Sequence, residues 1–249
     1  ILLSQTVLPM SDLSQVTAVI LAGGLGTRLR KVVSDRPKVM AEINGKPFIT
    51  YLLDQLAEAE IERVIISTGY IAEIIEETVG SSYKEIQINY SREESPLGTG
   101  GALKLAGQTV DSKWCLVMNG DSYTKFDPIL LLMNHKKSDA SITIVIKKIE
   151  DCSRYGSIEM NAEHEIVQFR EKGSAAGPGL MNAGVYLMEM GILDKIPDKT
   201  PCSLEYDFFP TVIGKGIYGY EAEGKFIDIG TPESYAKAEA FFEQKPVSA

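Results

Sequence analysis

The chain has 249 residues, of which 25 are basic and 34 acidic, for a formal charge of −9. That balance argues against a nucleic-acid partner, whose binding face carries a basic excess, and no apolar run reaches the ~18 residues of a membrane span. Three widely spaced cysteines, Cys115, Cys152 and Cys202, make neither a zinc motif nor an even disulfide framework, which points to a reducing cytoplasm.

Residues 1–16 read as an extension ahead of the fold. ILLSQTVLP lacks the basic start of a signal peptide, Met10 is a candidate biological start, and residues 1–9 are candidate non-native sequence. Ala18–Ala22 then forms a short apolar run suited to a buried parallel strand. Gly23, Gly24 and Gly26 remove side chains where the chain leaves that strand, so backbone N–H groups can approach a polyphosphate. Arg28 and Lys38 add a forked and a compact cation nearby. Other phosphate loops do not fit. Gly26 is followed by Thr27 and Arg28 rather than Lys-Ser/Thr, and Gly24-Leu25-Gly26 lacks the third glycine of a dinucleotide fingerprint.

Strand and helix signals alternate onward to about residue 147. The expected strands are Arg63–Ser67, Ile86–Tyr90, Trp114–Met118 and Ser141–Lys147; the expected helices are Phe48–Ala59, Ile71–Val79, Gly101–Ala106 and Pro128–Lys136. Alternation of this kind predicts an α/β fold, a mostly parallel Rossmann-like sheet with helices on both faces. Ligands then sit beyond the carboxyl ends of the strands, where the glycine turn lies. From about 148 to 225 the texture changes to antiparallel strands at Gly156–Met160, Ile166–Phe169, Gly179–Glu189 and Tyr218–Glu221, with a helical insert at Ser203–Ile213. This small antiparallel lobe is expected to supply a lid or second wall to the site. A last strand and helix within 226–242 are expected to return to the main sheet, closing a single domain over 17–245. Both histidines, His135 and His164, are expected to face solvent, so no histidine base is foreseen.

The pattern G-G-x-G-T-R-L followed by Pro37-Lys38, with the motifs below, resembles the sugar-1-phosphate nucleotidyltransferases over nearly all of residues 17–240. Within that family the chain is most similar to the D-glycero-α-D-manno-heptose 1-phosphate guanylyltransferases, with the mannose 1-phosphate enzymes close behind. The resemblance implies a GT-A-like fold and the reaction of an NTP with a sugar 1-phosphate to give an NDP-sugar and pyrophosphate. Such a reaction rests on positioning and charge neutralisation rather than on a protein nucleophile. Arg28 is then expected to clamp the β- and γ-phosphates and Lys38 to bridge the α-phosphate and the sugar phosphate. Val39 stands where family members often have a second proline, which predicts a looser turn around Lys38.

Asp121, after Met118-Asn119-Gly120, and Asp228, in Phe226-Ile227-Asp228, are implied Mg²⁺ ligands. For the nucleotide, Leu21, Ala22 and Gly23 are expected to line one side of the base, with Gly24, Gly26 and Thr27 also nucleotide-binding. Pro96, Gly98, Thr99 and Gly100 face the other. Glu93 can accept from guanine N1–H and N2–H₂ together, whereas uracil and thymine offer one such donor, so guanine is favoured. Asn119, Gly120, Gly156, Glu171, Lys172 and Asn182 are implied for the sugar phosphate. GTP and the manno-heptose phosphate are the leading substrates, supplying surface polysaccharide biosynthesis. The alternatives are mannose 1-phosphate, uridylyl transfer to another sugar 1-phosphate, or a non-catalytic nucleotide-sugar-binding regulatory subunit. A homo-oligomer is compatible with the family, and no acyltransferase extension is expected.

Overall fold

In the computed structural model, residues 13–24, 26, 28–29, 32–153, 155–170 and 177–243 are described. Four strands form the parallel centre: β1 (Val16–Leu21), β2 (Arg63–Thr68), β3 (Ile86–Arg92) and β4 (Trp114–Asn119). β1 pairs in parallel with β2 and β4, and β2 with β3. Residues alternate between the two faces, and both faces are buried. Ala18, Ile20, Leu116 and Met118 join one apolar cluster, while Val19, Cys115 and Val117 join the other.

Helices cover the two faces as the alternation predicts. Leu52, Leu53 and Leu56 of α1 (Phe48–Glu58), Ile75 of α2 (Ala72–Val79) and Leu131 of α4 (Pro128–Lys137) pack on the first. Leu103 and Ala106 of α3 (Gly98–Gly107) pack on the second. Pro128 opens α4 behind Asp127, whose carboxylate accepts from the Ile129 and Leu130 amides, a cap that satisfies two otherwise orphaned donors. Among the described residues no helix is long and apolar enough to cross a membrane.

The second half adds β6 (Ile142–Ile149), β7 (Ser157–Met160), β8 (Ile166–Arg170), β9 (Gly179–Glu189) and β10 (Ile217–Glu221), after a short β5 (Ser122–Thr124). Apart from β5, these strands hydrogen-bond onto the parallel centre; with Ser82–Tyr83, which pairs antiparallel with β3, they give ten strands in one sheet among the described residues. β9 is the joint. Its C-terminal half pairs antiparallel with β4, Val185 opposite Met118, and its N-terminal half reaches β7 through Leu180 and Ile158. β6 lies on the other side of β9 and carries β10 in parallel.

Five expectations need correction. The strand expected as antiparallel at Tyr218–Glu221 is β10, which runs parallel to β6. The last strand, β11 (Phe226–Asp228), does not return to the main sheet; it pairs antiparallel with β5, because both edges of β4 are already taken by β1 and β9. The final helix is broken into α5 (Pro232–Tyr235) and α6 (Ala238–Glu243). The insert expected at Ser203–Ile213 is a five-residue π-helical turn, Leu204–Phe208, followed by a 3-10 turn. His135 is buried rather than solvent-facing, its Nδ1 bonded to Thr143 Oγ1 at 2.8 Å. The polar run around it reads as surface, but the i−4 residue Leu131 already faces the core, and His135 shares that helical stripe. His164 is exposed at φ +64° in the turn before β8.

Burial lowers the His135 pKa from 6.5 to about 4, with Lys113 and Lys136 adding repulsion. The imidazole is therefore neutral in the fold and charged in the unfolded chain below pH 6.5, so stability is present above that value and falls on acidification. The full loss is on the order of 3 kcal/mol. Thermal midpoints measured from about pH 7 to about pH 4.5 should fall more steeply for the native protein than for His135→Gln. Parallel curves would remove His135 from this role.

Candidate functional site

β1, β2, β3 and β4 all end at one edge of the sheet, Leu21 in register with Ser67 on one side and Asn119 on the other. Two clefts open there. The smaller, about 300 Å³, is lined by Leu21, Ala22, Gly23, Gly24, Gly26, Lys38, Glu93, Pro96, Gly98 and Thr99, among others. The larger, about 530 Å³, is lined by Arg28, Tyr155, Gly156, Asn182, Tyr186, Glu205 and Asp228, among others. Asn119 and Asp121 belong to both walls. The clefts meet at the end of β4.

Lys38 Nζ and Asp121 Oδ2 form an ion pair of 2.8 Å at that junction, the amine 13% exposed and the carboxylate 39%. Lys38 opens a 3-10 turn, Lys38–Met40, in which Met40 N–H donates to Pro37 and Ala41 N–H donates to Lys38. Val39 and Met40 are buried. The turn expected to be loose without a second proline is thus held by two backbone bonds and two core side chains. Gly26, at φ +60°, packs on the stem of Lys38; an added Cβ would meet Lys38 Cβ at 3.3 Å.

Glu93 follows β3 with its Oε2 accepting from the Leu97 amide at 2.8 Å. Its Oε1 lies so close to Gly23 that a Cβ there would stand 2.1 Å away, so the glycine turn and the carboxylate share one space. Burial raises the Glu93 pKa, the Leu97 bond opposing. Across the cleft, the segment expected as a loop is already the first turn of α3, which starts at Gly98. Gly98 sits at φ +76°, and an added Cβ would be 2.4 Å from the Cys202 carbonyl oxygen. That crossing is backbone on backbone and needs glycine.

In the larger cleft, Asp228 ends β11. Its Oδ1 accepts from Gly230 N at 2.9 Å and Ser234 Oγ at 3.0 Å, and its Oδ2 accepts from the Tyr155 hydroxyl. Thr231, not Asp228, caps α5, in a capping box with Ser234. Ile229 N–H donates to the Asp121 carbonyl at 2.9 Å, which fastens the two aspartate segments together. Asn182 Nδ2 donates to Tyr186 Oη at 3.0 Å, and Tyr186 donates to Glu205 Oε1 at 3.0 Å. Burial holds the Tyr186 pKa well above its usual value, with the Glu205 charge adding to it, so this hydroxyl stays a donor.

Of the residues expected in the site, the structure brings most to these two clefts. Arg28, expected on the β- and γ-phosphates, lines the larger cleft with Asp228, Gly230 and Thr231. Gly100 and Gly120 line neither: Gly100 N–H donates to Cys202 at 2.8 Å and Gly120 N–H donates to Leu21 at 3.0 Å. Thr27, Glu171 and Lys172 lie outside the described residues, as do residues 1–12. Tyr155, Tyr186 and Glu205 were not foreseen. Glu205 follows a Ser203 cap and reads as an ordinary first-turn acid on a helix dipole, so nothing local marks it.

Asp121 and Asp228 supply hard carboxylate oxygens on one cleft wall, a donor set that suits Mg²⁺ shared with substrate phosphates. Among the described residues no cluster of three or more His, Cys, Asp or Glu forms an all-protein cage, and Mg²⁺ sites of this kind need none.

The nucleotidyl transferase family model matches residues 17–245. The chain is 39% identical over 223 residues to D-glycero-alpha-D-manno-heptose 1-phosphate guanylyltransferase of Aneurinibacillus thermoaerophilus, covering 89% of this chain and 96% of that one. It is 36% identical over 230 residues to mannose-1-phosphate guanylyltransferase of Mycobacterium tuberculosis, of whose length it spans 64% and which covers 91% of this chain. The crystal structure of HddC from Yersinia pseudotuberculosis superposes with a TM-score of 0.80 at 34% identity, covering 91% of this chain and 99% of that one. HddC has also been solved in complex with GMP-PN.

The Gly98 crossing generates a direct test. Gly98→Ala should push α3 off the Cys202 backbone and weaken nucleotide binding by about tenfold or more, a cost of at least ~1.4 kcal/mol. Calorimetric titration with nucleotide checks it; native affinity in the variant would show the crossing is not needed for the cleft.

Proposed function

This chain belongs to the nucleotidyl transferase family, and we propose that it transfers GMP from GTP to D-glycero-α-D-manno-heptose 1-phosphate, releasing pyrophosphate. The observation that carries the reading is the meeting of two clefts at Lys38 and Asp121, the smaller of them also lined by the half-buried carboxylate of Glu93. Identity of 39% to a heptose 1-phosphate guanylyltransferase, over 96% of its length, supports the substrate pair.

In this reading an oxygen of the sugar phosphate attacks the α-phosphorus of GTP in line. A new P–O bond forms as the bond to the β-phosphate breaks, and pyrophosphate leaves with the electron pair. Two anions must approach, so the work of the protein is to neutralise and align them. Lys38 stands between the clefts, its amine aimed by Asp121, and is the cation for the phosphates that meet there. Arg28, in the larger cleft, holds phosphate oxygens on that side. Asp121 and Asp228 would hold Mg²⁺, which supplies charge neutralisation across both substrates' phosphates. Tyr155, Gly230 and Ser234 keep the Asp228 oxygens in place. Glu93 accepts from guanine N1–H and N2–H₂, a pairing that uracil cannot complete. Three free cysteines, all buried, suit a reducing cytoplasm where GTP is abundant.

Mannose 1-phosphate is the nearest competing acceptor, on the 36% identity to a mannose enzyme. Pyrophosphate release should be measured with Mg²⁺, each of the four NTPs, and heptose, mannose, glucose and N-acetylmuramic acid 1-phosphates. Turnover confined to GTP with the heptose phosphate is expected. Turnover with mannose phosphate or with UTP would overturn the substrate assignment, and folded protein that binds nucleotide without any turnover would point to a regulatory subunit.

Glu93 adds a pH signature. Its raised pKa means that it protonates at a higher pH than an ordinary carboxylate, so the KM for GTP should rise early on acidification. Glu93→Gln should raise that KM about 10- to 100-fold, the worth of a hydrogen bond to a charged acceptor, and flatten the acid limb. An unchanged KM in the variant would remove Glu93 from base recognition.

A further inference from the structure

One hydrogen-bonded chain joins the two clefts, and it converges on a residue that neither substrate assignment uses. Thr99 Oγ1, on the wall of the smaller cleft, donates to Glu205 Oε2 at 3.0 Å. Tyr186, on the wall of the larger, donates to Glu205 Oε1 at 3.0 Å, and Asn182 Nδ2 donates to Tyr186 at 3.0 Å. Ser203 Oγ also donates to Glu205 Oε2, at 2.8 Å. Every donor points inward and the carboxylate only accepts.

The base side of this chain is held together by hydrogen bonds. Cys202 N–H donates to the Leu97 carbonyl at 2.8 Å, and Gly100 N–H donates to the Cys202 carbonyl at 2.8 Å. Leu204 N–H donates to Thr99 Oγ1 at 2.9 Å. Three bonds thus fasten the first turn of α3 to the 202–205 segment. A displacement of that turn carries Glu205 with it.

We infer that Glu205 is a positioning residue that couples the clefts, so that a nucleotide held against Thr99 sets Tyr186 and Asn182 for the sugar phosphate. The inference rests on the two-substrate reading above and deepens it. Only a carboxylate serves both ends. An amide in its place offers one acceptor oxygen. If its NH₂ faced Tyr186, the tyrosine hydroxyl would keep the Asn182 donor but lose its own acceptor. If its NH₂ faced Thr99 and Ser203, it would meet oxygens already accepting from Leu204 and from Glu205 and Tyr206 amides. In this part-buried chain a reversed link leaves a donor without its acceptor.

Coupling is a ratio and is measured as one. The affinity for heptose 1-phosphate is titrated with and without a saturating α,β-methylene analogue of GTP, whose bridging Pα–C bond does not break. The ratio of the two affinities in Glu205→Gln should fall at least about fivefold below that of the native protein. Thr99→Val removes the link at its other end while leaving Glu205 in place, and its ratio should fall likewise. A merely structural role would weaken both affinities and leave their ratio alone. An equal or larger ratio in both variants overturns the inference. If Glu205→Gln does not fold, Thr99→Val decides alone. The ratios require no turnover, so failure of the transfer reading shows separately, in the native protein's pyrophosphate release.

Discussion

The end of β4 is the constraint on which the site depends. Asn119 closes the strand, Gly120 bonds back to β1, and Asp121 turns into both clefts to meet Lys38. Two mutually repelling substrates have to share that corner, and a part-buried cation between them lowers the cost more than an exposed one. β1 and β9 fix β4 on either side. Pairing of β11 with β5 then brings Asp228 to the same wall. Sheet register therefore places charges that are 107 residues apart in sequence.

The base wall depends on close backbone contact. Gly98 lets α3 begin against Cys202, and Gly23 leaves room for the Glu93 carboxylate. Glu93 is half-buried against the glycine turn, and that burial raises its pKa. The 202–205 segment then belongs to both clefts at once, through Thr99 on one side and Tyr186 on the other.

The parallel centre was legible because strands buried on both faces read as continuous apolar runs, VTAVIL and WCLVMN among them. The glycine turn, Lys38 and Asp121 were legible because special backbone and charge stand together at strand ends. Arg28 lines the larger cleft, and no spacing in the sequence encodes which cleft its side chain enters. β11 was misplaced for a tertiary reason: a three-residue strand, Phe226–Asp228, does not announce which edge is free. His135 was misread because its neighbours are polar while its helical stripe is not. Glu205 was invisible. Its role depends on Thr99, 106 residues earlier, and no local pattern carries such a distance.

The account stands or falls on Lys38. The direct test is single-turnover transfer by Lys38→Ala beside calorimetric binding of GTP. Binding should stay within about tenfold, and the rate of transfer should fall by about 10²- to 10³-fold, as when one preorganised charge-stabilising group is removed. Transfer at the native rate would contradict the claim that charge neutralisation at the meeting of the clefts drives the reaction.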